Sequence, residues 1–193
     1  GEVVSYQFPI WSEFAMLTIA CYKVGAVAHP IAMSYEEKEL ARSLNITESR
    51  CYFGPTFFYK TDYEDRILAV RDQVLLLKDI VLIDSVKERK SDAALLREIL
   101  TSYGPLPKER CVHTKNGQDI AVILCTSGTT GGTKGVLLTH DNVRYAEETF
   151  NRELGLTEED IMFMPAPLHH ATGFHHAIIA PMLHGAKVVL QQK

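Results

Sequence analysis

Residues 125–135 have the composition of a loop that binds phosphate. They read Cys-Thr-Ser-Gly-Thr-Thr-Gly-Gly-Thr-Lys-Gly, so four glycines, five hydroxyl side chains and one lysine fall within eleven positions. Glycine lets the backbone approach a ligand closely, and successive N–H groups can then converge on phosphate oxygens. The hydroxyls add donors, and the lysine adds a positive charge. Apolar residues 120–124 and 136–138 flank the segment, which predicts a loop between two strands.

Two other interpretations of this segment are less consistent with its sequence. The nucleotide loop G-x-x-x-x-G-K-[ST] leads directly into a helix, whose N-terminus meets the phosphates. Here Thr133 stands where that loop has its last glycine, Gly135 stands where it has Ser or Thr, and an apolar, strand-like run follows. A flexible polar linker is also less consistent, because linkers are not commonly placed between two apolar runs with a lysine near the end.

Residues 126–135 resemble the signature T-S-G-T-T-G-x-P-K-G of the adenylate-forming enzymes. That family comprises acyl-CoA and aryl-CoA synthetases, luciferases and the adenylation domains of peptide synthetases. Every fixed position matches except Thr133, where the family has a proline that would fix φ and remove a backbone donor. Two further segments match in the family's order: residues 24–31 are similar to K-x-G-A-V-x-x-P-I, and residues 167–173 are similar to P-L-x-H-x-x-G.

The resemblance implies ATP-dependent activation of a carboxylic acid. The carboxylate attacks the α-phosphorus of ATP, pyrophosphate leaves, and the thiol of CoA captures the acyl-adenylate. ATP and Mg²⁺ are therefore the expected cofactors, with CoA as co-substrate. Backbone N–H groups, hydroxyls and a lysine ammonium would stabilise the charge of the departing pyrophosphate. The predicted nucleotide-binding residues are Thr126, Ser127, Gly128, Thr129, Thr130, Gly131 and Lys134, of which Lys134 is also predicted to be catalytic.

Four histidines follow in two adjacent pairs, His169-His170 and His175-His176. No neighbouring cysteine or carboxylate in the sequence completes a tetrahedral zinc site, and adjacent residues on one element point in different directions, so we predict no metal site. From the resemblance, His170 matches the histidine that faces the acyl group and the adenylate, and it is the second predicted catalytic residue. His169, His170 and Gly173 form the predicted substrate pocket. Support of that pocket and helix packing explain His175 and His176 equally well.

The segment around residues 164–174 resembles short- and medium-chain fatty acyl-CoA synthetases. Peptide-synthetase domains instead carry an aspartate in an F-D-x-S type segment here. An aryl-CoA or luciferase-like ligase and a noncatalytic phosphate-binding module remain the alternatives. Family members continue into a ribose-binding aspartate segment and a mobile C-terminal domain, and those motifs do not occur here. We therefore expect residues 1–193 to be an incomplete N-terminal AMP-binding domain that does not catalyse the full reaction alone.

Composition and charge narrow the class of protein further. The chain is 46% hydrophobic and 23% charged, as in average globular proteins. A net charge of −4 and scattered basic residues argue against nucleic acid or anionic lipid as partners. The resemblance implies a small carboxylic acid, ATP and CoA as the partners. The four cysteines lack C-x-x-C spacing, so we expect reduced thiols, mostly buried as small apolar groups. With no secretory signal and no transmembrane run in the sequence, we predict a cytoplasmic protein.

The elements that must position these motifs alternate between strand and helix. Strands are predicted at residues 3–8, 51–53, 80–83, 120–124, 136–139 and 187–190. One helix is predicted to follow an N-cap at Ser12 and end at Gly25, and a second to follow a capping-box pattern that begins at Ser34. Further helices are predicted at 63–74, within 87–100 and at 141–154, the last capped by Thr139 or Asp141. Such alternation predicts an α/β fold with parallel-rich β-sheets flanked by helices. The resemblance makes this part of the N-terminal domain of an adenylate-forming enzyme. The breaker residues 103–107 suggest an internal boundary between pieces 1–107 and 108–193.

Overall fold

The computed structural model describes residues 1–83, 93–104, 116–126 and 134–191. The strands are β1 (Val3–Tyr6), β2 (Val27–Pro30), β3 (Ser49–Pro55), β4 (Phe57–Phe58), β5 (Thr61–Asp62), β6 (Asp79–Ile83), β7 (Ala94–Leu95), β8 (Ile120–Thr126), β9 (Lys134–Thr139), β10 (Ile161–Met164) and β11 (Lys187–Leu190). The α-helices are α1 (Ser12–Val24), α2 (Glu37–Ile46), α3 (Tyr63–Val70), α4 (Leu96–Ser102), α5 (His140–Leu154), α6 (Ala171–Phe174) and α7 (Ala180–His184). A 3₁₀ turn (Arg71–Gln73) follows α3, and a π-helical segment (His175–Ile179) joins α6 to α7.

Seven strands form one sheet in the order β7-β6-β3-β1-β2-β8-β9. All neighbouring pairs in it are parallel except β8 and β9, which run antiparallel. A parallel pair of β10 and β11 and a short hairpin of β4 and β5 stand apart from it. The predicted α/β class with a parallel-rich sheet is confirmed. Strands from both sides of residues 103–107 enter the large sheet, and a division at that boundary stays a prediction.

The two faces of the large sheet are covered by different helices, because side chains alternate along each strand. On one face, Tyr6 of β1 packs in a core with Phe14 of α1 and Phe174 of α6. On the other face, Leu40 of α2 and Ile67 of α3 belong to a second core. All five side chains are fully buried. Burial of large apolar groups on both faces explains why the strands read as short apolar runs.

Two helix ends form as the sequence predicts. Gly25 adopts φ 70° at the end of α1, a left-handed conformation that glycine reaches without steric cost. Thr139 caps α5: its hydroxyl accepts a hydrogen bond from the backbone N–H of Asn142, and the side chain of Asn142 accepts one from the N–H of Thr139. The cap lies at the junction between the end of β9 and the start of α5.

Two predicted caps were wrong. Ser12 lies inside the first turn of α1, and the N-cap position is held by Trp11 in extended backbone. The helix predicted after Ser34 begins only at Glu37, and Glu36 occupies its N-cap position without a side-chain hydrogen bond. A turn closed by the N–H of Tyr35 and the carbonyl of residue 32 takes up the intervening residues, so the helix starts later.

Candidate functional site

The predicted phosphate loop lies between the ends of β8 and β9. Thr126 is the last residue of β8, Lys134 is the first of β9, and the two face each other in the antiparallel ladder. Both are exposed. The predicted residues Ser127, Gly128, Thr129, Thr130 and Gly131 lie outside the described residues. The two predicted flanking strands are confirmed. The strand that begins at Lys134 differs from the helix that the G-x-x-x-x-G-K-[ST] loop requires.

The loop begins at the edge of the sheet where ligands of α/β proteins bind. Strands β1, β2 and β8 are parallel neighbours, so their carboxyl ends meet at one edge. β8 reaches that edge at Thr126. In open α/β sheets, ligands occupy the crevice outside the carboxyl ends of the strands. Topology therefore supports a binding role for the segment that starts at Thr126.

A cavity of about 280 Å³ lies at the same edge. Residues after β1, residues after β2, the β4 strand and the histidine motif line it: Phe8, Pro9, Ile10, Met33, Ser34, Phe58, Pro167, Leu168 and His169. A larger cavity of about 640 Å³ opens between α1 and α4, but none of the predicted site residues lines it. We therefore assign the candidate site to the smaller cavity, because the histidine motif and the carboxyl ends of the strands meet there.

The first histidine pair has two different environments. His169 is half-buried at the cavity wall, and burial lowers the pKa of its imidazole, with a further lowering from the charge of His170. His169 is consequently a neutral donor or acceptor at neutral pH. His170 is exposed and occupies the N-cap position of α6, where its carbonyl accepts a hydrogen bond from the N–H of Phe174. An exposed imidazole at the start of a helix is accessible to a bound substrate.

Gly173 allows a close approach between two parts of the histidine motif. A Cβ at this position would lie 2.2 Å from the carbonyl oxygen of Pro167 and 3.0 Å from the Cα of Leu168. The flanking side chains of Leu168 and Phe174 belong to the core beneath the sheet. The motif is therefore a compact turn anchored to the core, with His169 and His170 in its middle. A role for Gly173 beside the acyl group stays a prediction.

The fold brings a carboxylate to the second histidine pair, which the sequence order does not reveal. Glu147 of α5 is 2% exposed, and its Oε1 and Oε2 each lie 3.1 Å from an imidazole Nδ1, those of His175 and His176 respectively. Adjacent histidines were expected to point apart, yet both reach this one carboxylate. The sequence signal is the four-residue spacing of Val143, Glu147 and Asn151, which places all three on the buried face of α5.

Among the described residues, no group of three or more His, Cys, Asp or Glu side chains has the arrangement of a metal site.

A cluster of polar side chains surrounds His29 and includes Cys125, the residue before Thr126. Its members come from β1, β2, β3, β8, α2 and the residue that caps the end of α2: Ser5, His29, Ser43, Thr47, Ser49 and Cys125. His29 lies at its centre, with Nδ1 2.7 Å from Ser5 Oγ and Nε2 3.4 Å from Cys125 Sγ. Burial lowers the pKa of His29 to about 3 and raises that of Cys125, so both groups are neutral. Cys125 therefore makes polar contacts and differs from the small apolar role expected for most of the cysteines.

Comparison with known proteins connects this arrangement to one family. A protein-family model described as AMP-binding enzyme matches residues 1–193. A medium-chain fatty-acid–CoA ligase of Escherichia coli (strain K12) is 40% identical over 190 residues, which is 98% of this chain and 33% of the relative. The chain spans about a third of the length of the curated relatives it matches.

Solved structures show the same fold over the whole chain. The anthranilate CoA ligase AuaEII in complex with anthranoyl-AMP superimposes with a TM-score of 0.86 and 25% identity, covering 100% of this chain and 36% of that protein. The N-terminal domain of FACL13 from Mycobacterium tuberculosis gives a TM-score of 0.82 at 25% identity, covering 100% of this chain and 44% of that one. In the described ranges, no helix has the length and apolar character needed to cross a membrane.

Proposed function

Because the chain belongs to the AMP-binding enzyme family, we propose that its full-length protein activates a carboxylic acid with ATP and transfers the acyl group to CoA. The observation that carries the proposal is the position of the glycine-rich segment. Its two ends, Thr126 and Lys134, are paired at the carboxyl edge of the parallel strands, where the histidine motif also lies. The match to the family signature supports a phosphate-binding role for that segment.

In the first step, a carboxylate oxygen of the acid attacks the α-phosphorus of ATP. The bond from the α-phosphorus to the oxygen that bridges it to the β-phosphate breaks, and pyrophosphate departs with the bonding electrons. Lys134 and the hydroxyl of Thr126 stand at the mouth of the loop and would stabilise this growing charge. The attacking carboxylate is already ionised and needs no proton transfer, so positioning of the reactants and electrostatic stabilisation of pyrophosphate would accelerate this step.

In the second step, the thiol of CoA loses its proton to solvent, its sulfur attacks the carbonyl carbon of the acyl-adenylate, and AMP leaves with the electron pair of the broken C–O bond. His170 is exposed at the start of α6 and can donate a hydrogen bond to the acid or to the mixed anhydride. His169, neutral at the cavity wall, can orient the same groups. We propose these two imidazoles and Gly173 as parts of the acid-binding region.

We propose a fatty acid of short or medium chain length as the substrate. The resemblance of residues 164–174 and the 40% identity to a medium-chain fatty-acid–CoA ligase support this choice. An aryl acid is the second candidate, because the structural neighbour AuaEII is an anthranilate CoA ligase. A panel of acids from acetate to long fatty acids, with benzoate and anthranilate included, separates the two.

The test is acid-dependent release of pyrophosphate by the full-length protein, with and without CoA. Lys134→Ala is expected to lower kcat by about 10²–10³-fold, the usual cost of removing one donor to a developing anion. Lys187→Ala is the matched control, since Lys187 also begins a strand and is exposed, but lies in β11. Unchanged release by Lys134→Ala would contradict the phosphate role, and no release with any acid would favour the noncatalytic phosphate-binding module.

A further inference from the structure

The buried face of α5 packs against the helical segment that follows His170. We refer to residues 171–184 as the histidine helix; it comprises α6, the π-helical segment and α7. Four polar contacts join the two helices, two from Glu147 and two from Asn151. Besides the Glu147 contacts, Asn151 Nδ2 donates to the carbonyl of Ala180 at 2.7 Å and lies 2.7 Å from His184 Nδ1.

The two imidazoles contact Glu147 in different ways. His176 Nδ1 has hydrogen-bond geometry toward Oε2, and its ring stacks on Phe150 with centroids 4.0 Å apart. His175 Nδ1 is equally close to Oε1, but its direction is not that of a hydrogen bond, and this buried nitrogen has no other partner among the described residues. His175 therefore lies in close contact with the carboxylate without a hydrogen bond to it.

A buried carboxylate at this position needs a compensating partner. Removing an ion from water costs several kcal/mol unless opposite charge or donors replace the lost hydration. Glu147 meets that requirement through the histidine helix. The contact falls on the π-helical segment, and π-helical turns are rare and frequently found at functional sites. Apolar packing alone would not require a carboxylate here.

Glu147 links the two arms of the proposed site. On one side, α5 continues from β9 through the Thr139 cap, and β9 begins at Lys134. On the other side, His175 and His176 follow directly on the turn that carries His170 and Gly173. The contact therefore connects β9 and α5, next to the proposed pyrophosphate site, to the turn and helix next to the proposed acid site.

We infer that Glu147 is a positioning residue for the acid-activating reaction: it holds the histidine helix, and with it His170, in register with Lys134 at the start of β9. The inference rests on the proposed function. α5 is additionally fixed by its N-cap and by Val143 in the core. Loss of the carboxylate should consequently displace the histidine helix more than Lys134, and impair use of the acid more than binding of ATP.

The test compares Glu147→Gln with Glu148→Gln in the full-length protein. The two variants make the same chemical change at neighbouring positions, but Glu148 faces solvent and pairs with Arg144 at 3.1 Å. Asn151 and Phe150 still join the two helices in Glu147→Gln, so the variant should fold. We expect its kcat/KM for the acid to fall by about 10–100-fold, as for a misplacement of up to about 1 Å, with little change in KM for ATP. Glu147→Asp retains the charge and should recover part of the loss.

Three outcomes would overturn the inference: equal kinetics for the two glutamine variants, equal losses toward acid and ATP, or a lower melting temperature with unchanged kinetics. Absence of pyrophosphate release from the unmutated protein would instead contradict the proposed function. In that case, the NMR signals of the histidine side chains still test the positioning role of Glu147. We expect the His170 signal to shift in Glu147→Gln and not in Glu148→Gln, and an unshifted signal would refute the positioning role.

Discussion

Replacing Gly173 by alanine tests whether the turn from residue 167 to residue 173 shapes the site. The new methyl carbon would lie 2.2 Å from the carbonyl oxygen of Pro167, 2.7 Å from its carbonyl carbon and 3.0 Å from the Cα of Leu168. All three atoms belong to the backbone, so no side-chain rotation can relieve the overlap. The two ends of the turn must move apart, and His169 and His170 lie between them.

The size of the displacement follows from these distances. A carbon atom and a backbone oxygen in close contact stand about 3.3 Å apart, so the turn must open by about 1 Å. Overpacking of this kind typically destabilises a protein by about 1–3 kcal/mol. A displacement of about 1 Å at reacting groups can cost about 10²-fold in rate. We therefore expect Gly173→Ala to lose stability modestly and activity severely.

The assay is kcat/KM for acid-dependent pyrophosphate release by the full-length protein, with the free energy of unfolding measured in urea. Gly104→Ala is the control, because a Cβ at Gly104 would meet no atom within 4 Å. Unchanged stability and kcat/KM in Gly173→Ala would refute the packing argument. Lowered stability with unchanged kcat/KM would show that the turn does not position reacting groups.

Two further predictions concern the scaffold of the site. Burial lowers the pKa of His29 to about 3 in the folded chain, whereas the imidazole of an unfolded chain has a pKa of about 6.5. Between these two pH values the unfolded chain binds a proton at His29 and the folded chain does not, so the free energy of unfolding decreases as pH falls from 6.5 toward 3. Between pH 7 and pH 5 this loss is about 2 kcal/mol, and it should be absent from His29→Gln in urea denaturation at both pH values; parallel curves for the two proteins would contradict it. Thr139→Ala should cost about 1 kcal/mol of unfolding free energy because the cap of α5 is removed. Thr149→Ala, in the middle of the same helix, serves as its control, and equal effects of the two changes would count against the cap.

Local sequence rules predicted the elements with strong local signals. The segment 120–139 contains two apolar runs around a glycine-rich loop, so strand, loop and strand could be read directly. Thr139 and Gly25 were recognised because capping depends on residues within one turn of the helix end. The predicted caps at Ser12 and Ser34 were wrong because packing and turns, which a local pattern does not show, decide where those helices begin.

The contacts of Glu147 and His29 could not be predicted from local sequence patterns. Glu147 is separated by 28 and 29 positions from His175 and His176, and His29 by 96 positions from Cys125. Each pair meets only because parallel strands and their helices stack in a particular order. A buried polar partner is chosen by topology, and periodicity can indicate at most that a polar residue lies on a buried face.

The sequence by itself determined the chemistry that this protein can offer: a glycine- and hydroxyl-rich loop ending in Lys134, a histidine motif, and alternating elements that build a parallel-rich sheet. Those properties reside in consecutive residues and their local propensities. Only the tertiary structure decided that the carboxyl ends of β1, β2 and β8 share one edge with the histidine motif, and that Glu147 joins the two helices behind it. Such juxtapositions depend on strand order and helix packing, which arise from burying apolar surface over the whole domain.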